Sequence, residues 1–552
     1  MATPSEFSPA RSAVLDDAHL GDITGAFGTI AHHDTAPRTN WWARFRTLMA
    51  ILGPGLIVMV GDNDAGAFAT YTQAGQNYGT TLLWTLLLLV PVLYVNQEMV
   101  LRLGAVTGVG HARLIFERFG RFWGAFSIID LFILNALTIV TEFIGITFVV
   151  DFFGVSKLAG VGIAAALTMA AVSTGNFRRF ERFAMVLCVL SLLLVPVLVS
   201  IHPPLGQTTR DLLIPNWPGH SKLADVMLLV IGIVGTTVAP WQLFFQQSYV
   251  VDKRITPRFI KYERADLWIG IVFVMIGAIA MMAFCAELFA GRPEFGNFTD
   301  AGGVIAGLEK YAGRTMAAFF AVALLDASII GAAAVSLSTA YAIGDVFKIR
   351  HSLHRSVSAA KGFYLVYFGI VVAAATLVLI PGSPLGLLTE AVQTLAGILL
   401  PSATVFLLLL CNDKAVLGPW VNSTKVNLFT GAVIWVLVML SIILTASVIY
   451  PDMSGETMLR ILVGGTVLAI AGYSAMLVIR GVRREPVDGS VEGVVPASSR
   501  QARDTWRMPP LEQLPAAKFT LAKLIWMGVL RGYLVLAVVL LVVKVVQMTF
   551  FK

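Results

Sequence analysis

The chain has 552 residues, 57% of them hydrophobic and only 13% charged, with 40 Lys and Arg against 33 Asp and Glu. Soluble proteins carry about 25% charged residues, so this composition, with a mean hydropathy of +0.79, excludes a string of water-facing domains and makes lipid the solvent. At ~20 apolar residues per spanning helix, roughly a dozen crossings fit, and the basic excess of such a chain belongs to cytoplasmic loops rather than to nucleic acid.

Residues 1–44 are polar and lack the apolar core of a signal peptide, so a disordered cytoplasmic tail is expected. Twelve apolar runs follow, at about 48–76, 82–101, 122–150, 158–174, 183–201, 224–250, 266–290, 315–343, 362–380, 386–411, 427–450 and 461–479. Residues 482–522, rich in Pro, Ser, Gly and charge, read as a cytoplasmic linker. A last apolar segment within 523–552 carries Arg531 and Lys544, and its uninterrupted apolar core, Gly532 to Val543, is too short to decide between spanning and lying in the interface. Cys188, Cys285 and Cys411 all fall in apolar runs without a close pair, which supports neither disulfides nor a thiolate metal site. The histidines form no HxxxH pair, and the glycines no phosphate loop, so neither a zinc hydrolase nor a nucleotide-driven pump is indicated.

Lys and Arg alternate between loops. Eighteen lie in one set of short loops, among them Arg178, Arg182, Arg254 and Arg355, against seven in the other. The richer set, and the N-terminus with it, is assigned to the cytoplasm of a multi-pass cell-membrane protein.

Two runs are interrupted at bilayer depth. The first holds Gly61-Asp62-Asn63-Asp64-Ala65-Gly66, turn formers and carboxylates that no lipid-facing helix carries. The sixth holds Gly235-Thr236-Thr237 before Pro240, which removes an N–H and frees a carbonyl upstream, so a break is expected around Thr236 to Ala239. Breaks a dozen residues into the first and sixth spans predict an all-α transporter of the LeuT-like five-plus-five inverted-repeat type, with the transport core at 45–412, accessory helices within 413–481 and the segment 523–552 as a further membrane helix.

Asp64 is the leading site residue. Its ionised carboxylate is costly at mid-membrane, its own span offers no cation beyond Arg46, and a bound cation is the natural partner. In an extended stretch Asp62 would face the same cavity, since residues i and i+2 share a side; capping of the half-helices is the competing role for both carboxylates. Glu98 and Arg102, spaced i,i+4, are expected to form a local salt bridge.

These residues resemble those of the Nramp divalent-metal transporters. The likeness starts at Gly53-Pro54-Gly55, runs through Asp64 to Ala69 and Arg102 to Gly108, and continues in Thr141 to Gly145, Gly235 to Ser248, Gln393, and Leu407 to Asn422. It covers about residues 45–480. The resemblance implies a metal site in which the family's Asp is Asp64, its Asn is Ala67, its carbonyl residue is Thr236, its Met is Ala239, and a tenth-helix glutamine is Gln393; the last is equally a residue for interhelical hydrogen bonding. Two side-chain ligands are therefore missing. Loss of the thioether at Ala239 leaves an oxygen site with more room, suited to a hard, partly hydrated ion such as Mg²⁺, and the sequence looks like the Nramp-related magnesium transporters that have lost this methionine.

The family's proton-relay positions fall on Ile139, Trp241 and Gln246, none of which titrates, while its third-helix Glu is kept as Glu142. The resemblance thus implies Mg²⁺ uptake, with Mn²⁺ as a further substrate, without proton coupling and without a cofactor. Its alternatives are a proton-coupled Mn²⁺/Fe²⁺ symporter and, more distantly, an amino-acid transporter of the same fold. Oligomeric state is not legible.

Overall fold

The computed structural model describes residues 13–219, 221–382, 385–449, 455–482, 500–517 and 524–533. A short antiparallel hairpin, β1 (Ile23–Gly25) and β2 (Gly28–Ile30), precedes the helices. The first run folds as three pieces, α1 (Trp41–Ile51), α2 (Pro54–Asp62) and α3 (Ala65–Tyr78). Then come α4 (Leu83–Thr107), α5 (His111–Phe119), α6 (Arg121–Phe152), α7 (Lys157–Val172), α8 (Phe177–Leu190), α9 (Leu194–Ile201) and α10 (Leu205–Leu213). The sixth run divides into α11 (Leu223–Thr237) and α12 (Pro240–Asp252). The rest of the bundle is α13 (Ile260–Phe289), α14 (Ala301–Ala312), α15 (Arg314–Phe347), α16 (Lys361–Val378), α17 (Leu385–Cys411), α18 (Lys414–Leu417), α19 (Thr424–Ile449) and α20 (Gly455–Val482), followed by α21 (Arg500–Thr505).

Each of the twelve apolar runs lies on helix, but not each is a full crossing. Among the described residues nine helices are long and apolar enough to span, or ten if α1 and α2, bent by 51°, count as one. For two of the runs the cause is geometric: the first is cut into short pieces, and α7 has only 16 residues, about 24 Å at 1.5 Å per residue. Most of the segment 523–552 lies outside the described residues.

One expectation is overturned. Residues 13–44 are not a disordered tail: Ile23, Ala26 and Ile30 are buried, and the hairpin packs on α1 and α8. The polar composition was misleading because these residues are held by main-chain hydrogen bonds from arginines elsewhere in the chain rather than by apolar periodicity. The Glu98–Arg102 pair forms at 3.2 Å, and Arg264 joins it at 2.5 Å.

The site is placed by the packing of α2 and α3 on α13, of α11 on α17, and of α6 on α15. Where α11 meets α17, a Cβ on Gly235 would lie 2.3 Å from the Gln393 carbonyl oxygen and from the Gly397 nitrogen, and one on Gly397 would lie 2.4 Å from the Ile231 oxygen. The two backbones are therefore in direct contact, a closeness only residues without side chains allow.

Candidate metal site at the helix breaks

Local chemistry sets both breaks. Helix α2 ends at Asp62, and Asp64 starts α3 as its N-cap, its Oδ1 accepting from Ala67 N at 2.8 Å. On the other side Pro240 is the first residue of α12, and lacks the N–H that would have bonded four residues back to the Thr236 carbonyl. That carbonyl is freed at the end of α11, and Thr236 Oγ1 is buried with no partner among the described residues.

The breaks lie side by side, stitched by contacts above and below. Tyr71 and Thr237 hydroxyls are 2.7 Å apart, Gln242 donates to Asp62, and the Trp241 ring edge lies 3.7 Å from where a Cβ on Gly61 would be. Ala239, the N-cap residue of α12, has extended backbone and no side-chain cap bond. Asp64, Ala67, Thr236, Ala239, Trp241 and Gln393 are all at most 4% exposed.

Gln393 reaches the first break from α17. Its amide packs so closely on Gly66 that a Cβ there would fall 1.6 Å from Nε2, and the same position is 3.1 Å from Asp64 Oδ1. Nε2 has no hydrogen-bond partner among the described residues. An amide that can turn its oxygen inward beside a carboxylate is suited to a cation.

Glu142 comes from α6. Its Oε2 accepts from Ala65 N, next to Asp64, at 3.1 Å, and its Oε1 has no hydrogen-bond partner among the described residues. Two acidic side chains buried against each other need a proton on one of them, or a cation beside them. Gly331 of α15 makes room for the pair: a Cβ there would stand 2.8 Å from Glu142 Cδ and 3.0 Å from Asp64 Cβ.

Asp62 does not take the place expected of it. The extended stretch that would have aligned it with Asp64 is confined to Asp64 itself, because α2 stays helical through Asp62 and Asn63 is not extended. Its carboxyl instead accepts from Gln242, which in turn accepts from Gln97 at 2.7 Å. Asn63 turns away, donating to the Val274 carbonyl at 3.1 Å. Neither the Gln97–Gln242–Asp62 chain nor the seat at Gly331 was foreseen; the run of small residues Gly331-Ala332-Ala333-Ala334 was the available signal. Ile139 and Gln246 are fully buried, and both polar atoms of the Gln246 side chain lack partners among the described residues.

Two discontinuous helices meeting at a buried carboxylate define a transporter of the LeuT-type inverted-repeat class. Two solved structures share this fold: a manganese transporter of Eremococcus coleocola, in complex with an aromatic bis-isothiourea compound, is 20% identical with a TM-score of 0.60 and covers 87% of this chain and 99% of its own. MhsT in complex with L-phenylalanine is 15% identical with a TM-score of 0.50, covering 72% and 98%. The model of the Nramp family, natural resistance-associated macrophage protein-like, matches residues 55–447, and the chain belongs to this family. Among its relatives are the divalent metal cation transporter MntH of Ralstonia nicotianae, 27% identical over 71% of this chain and 89% of its own length, and that of Yersinia enterocolitica, 26% identical over 75% and 98%.

Proposed function

We infer that the chain is a divalent metal cation transporter of the Nramp type, and propose that its preferred ion is Mg²⁺, with Mn²⁺ as a further substrate, carried into the cell across the cytoplasmic membrane with the N-terminus inside. The observation that carries the choice of ion is the donor set at the breaks. Asp64, the freed Thr236 carbonyl and Gln393 offer oxygen, and the position where the family resemblance puts a thioether is the methyl of Ala239. Hard Mg²⁺ prefers oxygen, dehydrates reluctantly and keeps several waters, which the small side chains of Ala67 and Ala239 leave space for. Asp64 supplies the formal charge, and Gln393, with its amide turned, a neutral oxygen.

A second reading, proton-coupled Mn²⁺ or Fe²⁺ symport, is favoured by one juxtaposition: Asp64 and Glu142 are buried side by side against Gly331, and such a pair holds a proton that an arriving cation would release. Against it stand Ile139, Trp241 and Gln246, which leave that proton no titrating neighbour along the implied path. Exchange within the pair is therefore local, and the proton returns when the ion leaves.

The test is ion flux into proteoliposomes containing the purified protein, with Mg²⁺, Mn²⁺ and Ca²⁺ compared. Wild type should move Mg²⁺, and Asp64→Ala, folded but lacking the charge, should move none of the three. Mg²⁺ flux retained in Asp64→Ala, or wild-type flux of Mn²⁺ alone, would overturn the assignment.

A further inference from the structure

Residues 13–38 contribute nothing to the metal site, yet they are bound to four separate elements on the face that the Lys/Arg asymmetry assigns to the cytoplasm. On α8, Arg178 Nε and Arg182 Nε each donate at 3.0 Å to the carbonyls of Gly25 and Ala26. Arg178 also donates to the Thr29 hydroxyl, and Ala26 N donates to Glu181. On α1 the hairpin lies flat: a Cβ on Gly25 would stand 2.0 Å from the Ala50 carbonyl oxygen, and Arg38 Nε donates to Thr47 at 2.9 Å.

The other two elements belong to the second repeat. Beyond the end of α12, Arg254 donates to the Ala18 carbonyl at 2.9 and 2.8 Å, and Arg258 donates to the carbonyls of Asp34 at 2.7 Å and Ala36 at 2.9 Å. In the loop between α15 and α16, Arg355 pairs with Asp16 at 2.6 Å, His351 N donates to Asp16 at 3.0 Å, and His19 Nε2 donates to the His351 carbonyl at 2.9 Å.

Beneath the hairpin lies a buried charge knot. Lys253, fully buried at the end of α12, donates to Glu181 at 2.5 Å and to the carbonyls of Ile51 and Leu52, at the elbow between α1 and α2, at 2.7 and 2.9 Å. Asp266 of α13 accepts from Gly53 N and Gly55 N across the same elbow. The hairpin's Ala26 N–H therefore reaches the group that ties the half-helix α1 to the second repeat.

Next to Asp64 lies a small cavity of about 10 Å³, lined by Ala65, Ala69, Gln73 and Glu390 among others. A rocking motion of one repeat against the other has to part α1 and α8 from α12 and the α15–α16 loop, and residues 13–38 join all four.

We propose that residues 13–38 are a cytoplasmic latch. Seated, they hold α1 against α8 and α12 and keep the inner route to Asp64 shut, and discharge of the ion into the cytoplasm requires them to leave their seat on α8. The latch is a property of the fold's inner face and does not depend on which divalent ion is carried.

The experiment uses the full chain with Thr29→Cys and Arg178→Cys, two positions that the length of the Arg178 side chain bridges in the seated latch; the native Cys188, Cys285 and Cys411 are buried. Cross-linking in proteoliposomes with a bifunctional methanethiosulfonate, whose spacer replaces that length, should bring Mn²⁺ and Mg²⁺ flux down to that of protein-free liposomes, and reductant should restore it. Cross-linked protein that transports as fast as its reduced form would overturn the latch. A separate measurement needs no cross-link: amide hydrogen exchange over residues 13–38 should quicken in wild type turning over with Mn²⁺ and stay slow in Asp64→Ala. Equal protection in the two would overturn it as well. Mn²⁺ flux without Mg²⁺ flux in the reduced protein would refute the magnesium assignment while leaving both latch readouts intact.

Discussion

Gly331→Ala adds one methyl group where α15 backs the Asp64–Glu142 pair. The new carbon would lie 2.8 Å from Glu142 Cδ, 2.9 Å from its Oε2 and 3.0 Å from Asp64 Cβ, against ordinary contacts of about 3.5–4.0 Å. An overlap of roughly 0.5–1 Å has to be relieved, and overpacking of this kind costs about 1–3 kcal/mol. The softest response is to push the two carboxyl side chains off their shared position. If Asp64 is the ion's charged ligand, most of that cost reappears as weaker binding, a rise in Kd of roughly 5- to 150-fold. Gly61→Ala is the control. It makes the same chemical change on the neighbouring half-helix, but its methyl would meet Trp241, Ala334 and Ile330 at 3.7, 3.8 and 3.9 Å, and both variants gain the same ~0.5–1 kcal/mol of helix preference. Isothermal titration with Mn²⁺ and Mg²⁺, alongside thermal unfolding in detergent, separates lost affinity from lost fold. Equal affinities for Gly331→Ala and Gly61→Ala, with Gly331→Ala still folded, would refute the placing of the ion at this pair.

Three further outcomes follow from the same geometry. The double variant Ala67→Asn with Ala239→Met returns an amide oxygen and a soft sulfur, and should strengthen Cd²⁺ and Mn²⁺ competition against Mg²⁺ uptake by about ten-fold or more; an unchanged metal preference in an active variant would remove ligand softness as the selectivity device. Metal entry should leave the lumen pH of proteoliposomes unchanged, and a metal-dependent acidification that vanishes in Glu142→Gln would establish proton coupling instead. On the face that carries the hairpin, burial opposes the charged form of His351, but Asp345 at 3.1 Å carries its pKa up to about 9; Asp16 and the His19 ring also face it. A pKa raised on folding from ~6.5 stabilises fully below about pH 6.5 and loses that contribution as pH rises through about 9, on the order of 3 kcal/mol at most. His351→Gln should therefore lower the melting temperature most near pH 6 and least near pH 10, and a pH-independent loss would contradict the ion pair.

What the sequence disclosed was whatever depends on one residue's own chemistry. Pro240 cannot donate and Asp64 is a good N-cap, so both breaks, and a buried carboxylate at the first of them, were legible in the sequence. What depends on a partner from a distant helix was not. Asp62 was expected beside Asp64 because an extended chain was assumed between them, and only the structure shows that helix persists to Asp62 and that Gln242 lies across from it. Residues 13–44 were misread for the same reason: their polarity is matched by Arg178, Arg182, Arg254, Arg258 and Arg355, residues more than a hundred positions away whose charges had been assigned to orientation alone.

The backbone contact of Gly235 with Gly397 restricts how this protein can change over evolutionary time. Thr236 and Gln393 sit beside that contact, on helices too close to slide past one another, so their spacing is inherited as a unit and any larger residue at either glycine would part them. On the proposed site, variation in metal preference is thereby channelled to Ala67 and Ala239, positions at the breaks that do not bear on the contact. A lineage could then exchange one ion for another by substitutions at these two positions, with the scaffold around them left as it is.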